Sequence, residues 1–229
     1  WRDLPAEEVT HIARFTESGK PIIGIRTATH PFAFAPTNPP HPYRHFDWRS
    51  EEPGWEGGWG RQVLGETWVY HHGEHGEEGT RGLMNYVFAD DPILNGVGDN
   101  VYGPTDVYGL TRLPAGAEVL LYGQSLRGLT PDSPPNYDKP IVPIAWRRLY
   151  VGETGNASRV FASTIGAAVD FESEGLRRLL VNAVYWGLGM EDQIAEEPDV
   201  RFVGPYEPSY FGFAQHRKGV YPADLRMKE

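Results

Sequence analysis

The tightest constraint on this chain lies in its first thirty residues. Residues 4–18 read as a helix: Pro5 suits a first helical turn, Glu7 and Glu8 favour its positive end, and Val9, Ile12 and Ala13 form an apolar stripe. Gly19 is a helix stop, and Pro21-Ile22-Ile23-Gly24-Ile25 is an unbroken apolar run, as in a strand buried on both faces. The run ends in Arg26-Thr27-Ala28-Thr29-His30. Helix, tight turn, buried strand and small polar residues together predict an α/β fold, with a largely parallel sheet and strand 21–25 inside it.

The rest of the chain is read against that start. Strands are expected at 80–87, 106–112, 117–123, 140–150 and 158–165, with a helical turn at 91–97 and a loop at 126–139. Leu176, Leu179, Leu180, Ala183, Val184 and Gly187 recur at three- and four-residue steps, which predicts a helix over 172–188 packed on one face of the sheet. Between 31 and 60 six prolines interleave with Phe32, Phe34, Tyr43, Phe46, Trp48, Trp55 and Trp59. So long a loop in a compact domain is usually functional. Aromatic residues make up 13% of the chain, enough to pin such a loop by burial and so to argue against disorder. Residues 1–192 form the expected domain and 193–229 an extended arm. Along the arm Phe202, Tyr206, Tyr210, Phe211, Phe213 and Tyr221 recur, and they are expected to pack on the domain or on a neighbouring subunit.

Charge and composition remove several functions. The 21 basic and 31 acidic residues give a net charge of −10, which repels phosphate backbones and makes nucleic acid an unsuitable partner. No apolar run reaches the length of about 18 residues that a membrane span needs. The chain has no cysteine, which eliminates disulfides, thiolate metal sites and a cysteine nucleophile together.

A series of segments then resembles one family. Gly19-Lys20-Pro21-Ile22-Ile23-Gly24-Ile25-Arg26-Thr27-Ala28-Thr29-His30 looks like the first strand and turn of ThuA-like (trehalose-utilisation) proteins. Gly60–Trp68, His72-Gly73 with Thr80-Arg81-Gly82, Asp91–Val97, Pro143–Trp146, Arg159–Phe161, Thr164–Ala167 and Glu174–Ala183 follow in the family's order. In the tail, Gly204–Pro208 and Arg217–Val220 resemble an exported, planctomycete-like subtype. The resemblance implies a flavodoxin-like, class I glutamine amidotransferase-like sheet, mostly parallel, with helices on both faces. It implies a role in disaccharide or keto-sugar utilisation, with a saccharide held at the strand ends. It also implies a periplasmic location, with the cytoplasm as the alternative. Such domains carry about two further strands before the segment matching Trp1, so the native protein is expected to continue upstream, by about 60 to 120 residues on the usual size of such domains.

The same resemblance excludes amidotransferase chemistry. Arg26 stands where the family fold's catalytic cysteine would be, and a guanidinium has donors but no lone pair for attack. The histidine expected after the last strand is missing from Gly166-Ala167-Ala168-Val169-Asp170.

Several side chains remain that could do chemistry. Arg26 and Thr27 end a buried strand, where open α/β sheets place ligands. Arg26 either holds an anionic or polyhydroxy ligand and stabilises an oxyanion, or pairs internally with Asp106 or Glu66. His30 follows as ligand or turn support. His71, His72 and His75, beside three glutamates, could hold zinc or another divalent metal, or supply a general base near neutral pH. The catalytic candidates are therefore Arg26, Thr27, His30 and His72. Trp68, His71, His75, Arg81, Asp106, Tyr108, Trp146 and Asp170 are the candidates for holding a sugar, with Tyr137 and Asp138 less central. The rival reading is a non-catalytic assembly module in which the aromatic arm joins subunits into a homo-oligomer.

Overall fold

The fold is known from a computed structural model, which describes residues 1–99, 101–212, 215 and 218–226. Helix α1 spans Ala6–Thr16 and helix α2 spans Glu174–Gly187, close to the expected 4–18 and 172–188. Among the described residues there are eight strands, in chain order β1 (Ile22–Ile25), β2 (Tyr70–His71), β3 (Thr80–Met84), β4 (Tyr102–Gly103), β5 (Tyr108–Gly109), β6 (Glu118–Ser125), β7 (Val142–Val151) and β8 (Ala157–Ser163). Six of them form one sheet in the order β1-β8-β7-β6-β3-β4, and β2 and β5 form a separate two-stranded ladder. The α/β class holds.

The expected strand directions do not. Only β1 and β8 run parallel, whereas the β8–β7, β7–β6, β6–β3 and β3–β4 pairs are antiparallel. The reason is connection length. A parallel neighbour needs a crossover of a dozen or more residues, usually a helix, whereas an antiparallel one needs only a short turn. No helix falls between the predicted strands from 106 to 165. The five residues from Gly152 to Asn156 close β7 onto β8 as a hairpin, in which the Gly155 N–H donates to Gly152 O at 3.0 Å. β1 pairs with β8 alone, so it lies at the end of the described sheet and not inside it. The strand expected over 106–112 shrinks to β5, which leaves Asp106 in a loop.

Alternation along the strands sorts the core into two layers. Phe161 faces the layer that contains Ile93, Leu94, Leu120, Ile165 and the α2 residues Leu176, Leu179, Ala183 and Trp186. Its neighbours Val160 and Ala162 face the other layer, with Val9 of α1, Phe32, Phe46, Trp59, Leu64 and Trp146. Helices therefore cover both faces. The proline-rich loop is held by burial: Phe32, Phe34, Phe46 and Trp59 are all inside, and Trp59 Nε1 donates to Thr16 Oγ1 at 3.0 Å. Gly60–Leu64 forms one π-helical turn against the end of β1. A side chain at Gly60 would bring its Cβ to 1.9 Å from Thr29 O, so only glycine lets this turn lie on the segment after β1.

The arm starts as a docked strap. Arg177 and Arg178 donate from Nε to Val200 O and Pro198 O, Arg177 lies 4.1 Å over the Phe202 ring, and Tyr206 Oη donates to Ala168 O. Farther on, Tyr210, Phe211 and Tyr221 are exposed, while Phe213 and Arg217 lie outside the described residues. No helix among the described residues is long and apolar enough to cross a membrane.

Trp146 tests the packing. It is fully buried and donates from Nε1 to Leu64 O at 2.7 Å, tying β7 to the π-helical turn. Trp146→Ala should cost about 3–5 kcal/mol in equilibrium denaturation. A loss below about 1 kcal/mol would contradict this packing.

Candidate functional site

The chain leaves β1 through a sharp turn at Arg26, whose φ of 42° is the only left-handed non-glycine backbone among the described residues. Such a conformation costs about 1–3 kcal/mol and persists where the surroundings over-determine it. Here the guanidinium is held from every side. Nη1 donates to Asp106 O at 2.9 Å and to Thr164 O at 3.2 Å, and Nη2 donates to Asp106 Oδ1 at 2.9 Å. The plane lies 4.4 Å from the Tyr108 ring centroid. Of the two readings of Arg26, internal pairing with Asp106 is the one found. Three of its five N–H donors go to these protein groups, which leaves less of the guanidinium for a direct hold on a ligand or oxyanion. Glu66 serves elsewhere, accepting from Arg61 Nε and from the N–H groups of Thr67, Thr111 and Arg112.

Asp106 is the hub of the site. Its carboxylate is fully buried and also meets His71 Nδ1 at 2.5 Å through Oδ2 and His75 Nδ1 at 2.8 Å through Oδ1. Burial alone would raise its pKa, but Arg26 and then the two imidazoles outweigh that and hold it below the usual carboxylate range. An ionised carboxylate only accepts hydrogen bonds, so each facing Nδ1 carries a proton. A neutral imidazole then has its lone pair on Nε2. The histidine side chains are 42% and 49% exposed, which leaves both rings accessible from solvent. The loop carrying Asp106 is fixed from behind: Thr80 Oγ1 donates to Thr105 O at 2.6 Å, and Thr105 Oγ1 donates to Asp170.

An aromatic wall adjoins these imidazoles. Ring centroids of Trp1, Trp48 and Trp68 lie within 5.5–5.7 Å of one another, and Trp68 lies 5.7 Å from His30 and 5.5 Å from His71. Tyr108 is 5.7 Å from both His30 and His71. His30 is buried and its Nδ1 lies 3.0 Å from Thr29 Oγ1. Burial first, and then nearby positive charge including Arg26, bring its pKa down to about 3. It is therefore a neutral wall residue at ordinary pH. Tyr108 is pushed up, chiefly by burial, and stays a neutral phenol.

Arg26, His30, Trp68, His71, His75, Asp106 and Tyr108 thus come together as the sequence suggested. Thr27 is exposed on the same turn, and its carbonyl accepts from the His30 N–H. The other candidates do not join them. His72, the residue after β2, is buried with Nε2 2.8 Å from Pro140 O, away from the Asp106 carboxylate, and this contact leaves it outside the cluster that His71 and His75 form. Trp146 is core. Asp170 accepts from Thr105 Oγ1 and from the Gly166 and Ala167 N–H groups, so it is a structural cap and not a sugar ligand. Arg81 donates to Pro131 O and lines a separate cleft of about 590 Å³ with Tyr102, Glu172 and Tyr210. Tyr137 is exposed, and Asp138 pairs with Arg127.

Sequence reasoning missed Trp1 as part of the wall and did not single out Trp48 among the aromatics of the 31–60 loop. Only their abundance signalled them, since no spacing brings residues 1, 48 and 68 together. The metal-capable set also changes: His71, His75 and Asp106 each offer a ligand atom, all within 4.8 Å of one another. Asp106 replaces His72. Comparison with known proteins gave no match to any family model, curated protein or solved structure.

His30 gives a pH test. With a folded pKa near 3 and an unfolded value near 6.5, the unfolded chain binds the extra proton between those limits. Stability should fall as pH drops from about 6.5 towards 3, with a His30 contribution of up to about 1.4 kcal/mol per pH unit. His30→Gln should flatten that slope in urea denaturation at a series of pH values. An unchanged slope would contradict a neutral, buried His30.

Proposed function

We propose that this chain is a ThuA-like protein of carbohydrate utilisation that binds and transforms a neutral saccharide, a disaccharide or its keto-sugar form. The reading is supported above all by one juxtaposition: an indole wall beside two solvent-accessible imidazoles that share a buried carboxylate. An indole face suits the C–H face of a pyranose. An imidazole whose Nδ1–H is held by a carboxylate has an oriented Nε2 for proton transfer. In this scheme His71 or His75 is the general base, and Trp48 and Trp68 hold the ring. Arg26 acts through Asp106, by fixing the carboxylate that orients both imidazoles. The left-handed turn after β1 also matches the elbow that the family resemblance implies. Glutamine amidotransferase activity has no place in the scheme, because the chain has no cysteine to form the acyl intermediate.

A second reading rests on the arm. Tyr210, Phe211 and Tyr221 are 53%, 66% and 69% exposed, which suits an arm that packs against another copy of the chain in a homo-oligomer. Size measurement in solution before and after removal of residues 205–229 separates this reading from the first.

Tryptophan fluorescence tests the saccharide reading. Titration with disaccharides and their keto forms should give a saturable change, weakened at least about tenfold by Trp68→Ala, which corresponds to about 1.4 kcal/mol. Product formation followed by NMR should fall by about 100-fold or more in His71→Ala or His75→Ala, the usual scale of general-base loss. No saturable response to any sugar of this class would contradict the proposal.

A further inference from the structure

The loop that carries the two accessible histidines is built tightly against the carboxylate they share. The N–H groups of His72 and Gly73 both donate to Val107 O, at 2.9 and 3.1 Å. A Cβ at Gly73 would stand 3.1 Å from Asp106 Cβ and 3.2 Å from Val107 N, so the chain passes Asp106 at a distance that suits glycine. His71 is fixed on one side of this crossing by pairing of β2 with β5. On the other side, the turn bearing His75 is closed by Glu78, whose Oε2 accepts from the Glu74 N–H at 2.8 Å and from Lys139 Nζ at 2.7 Å. Both imidazoles therefore converge on one carboxylate from a backbone that is already set.

We propose that His71, His75 and Asp106 are the protein ligands of a divalent transition-metal ion. Two imidazoles and one carboxylate suit zinc and its neighbours. Three protein ligands also leave a coordination position open, as catalytic metal sites do. The three ligand atoms lie within 4.8 Å of one another, so small ring movements would bring them to bonds of about 2.0–2.2 Å on one ion. The ion takes the place of the two Nδ1 protons, which pass to Nε2 by tautomer exchange, so neutral histidines release no net proton. The rings move outward to admit it, and their exposure permits that. Asp106 stays fixed because Arg26 and its own buried loop hold it, the outer support that metal carboxylates normally have. Arg26 already occupies Oδ1, which directs the ion to Oδ2 and tempers its affinity. The site rests on these ligands alone; an ion on Nδ1 leaves Nε2 protonated, so metal binding and the general-base role of His71 or His75 are alternative states of the same two imidazoles.

The test uses the full chain, stripped with a chelator, with no sugar present. Cobalt(II) followed by visible absorbance, and zinc(II) by calorimetry, should each bind at one per chain. His71→Ala and His75→Ala should each weaken binding by more than about 100-fold, beyond the roughly 10–100-fold that loss of an outer partner causes. The exposed His11→Ala should leave it unchanged, and circular dichroism on each variant checks that the fold is kept. Failure of the wild-type chain to saturate at millimolar metal, or equal uptake by both histidine variants, would overturn the proposal. Sugar titration of the same stripped protein reads the saccharide proposal separately.

Discussion

A guanidinium and a carboxylate meet 2.9 Å apart out of water, and four separate pieces of chain are positioned by that contact. Arg26 brings the end of β1, Asp106 the loop before β5, and Thr164 the end of β8. Through the carboxylate, His71 and His75 bring the fourth piece, the loop 71–75. Burying either charge alone is costly, so the pair is stable only when all these segments are in place. The same contact accounts for the left-handed backbone at Arg26, since the local strain is set against several buried hydrogen bonds. Burial of an ion pair is not in itself a large source of stability, and its clearer consequence here is geometric: it selects one arrangement.

How much of this was legible in the sequence depended on the range of the interaction. Both helices and four of the eight described strands (β1, β6, β7 and β8) were readable within about two residues, because their signals are local: a three-to-four residue stripe in α2, an apolar run in β1, a glycine stop at Gly19. Strand direction was not, although a clue was present. Successive strands without helices between them can only be joined antiparallel, and the segment from Gly152 to Asn156 is short enough for a hairpin alone. The helix-turn-strand start over residues 4–25 and the resemblance to a parallel family both pointed the other way.

The site divides in the same way. Arg26 and the histidine cluster stood out because unusual residue types occurred together, and the possible Arg26–Asp106 pairing followed from the need of a buried arginine for a partner. Which histidines face the carboxylate depends on how the chain turns after β2, which ends at His71, and no local pattern shows that His72 turns away while His75 returns. The wall of Trp1, Trp48 and Trp68 depends on where the long proline-rich loop folds back. Burial of Phe32, Phe34, Phe46 and Trp59 decides that, and no local pattern does. Trp146 and Asp170 looked like ligands by residue type, but the core and a backbone turn claim them.

The central claim is that Arg26 and Asp106 are energetically one unit on which the turn and both imidazoles depend. A double-mutant cycle measures this directly, with Arg26→Gln, Asp106→Asn and the double variant compared by equilibrium denaturation. Each single change leaves its partner buried and uncompensated and is predicted to cost about 3–5 kcal/mol. The double variant should cost less than their sum by about 2 kcal/mol or more. Costs that add to within about 0.5 kcal/mol would show that the two residues act independently, and would contradict the account.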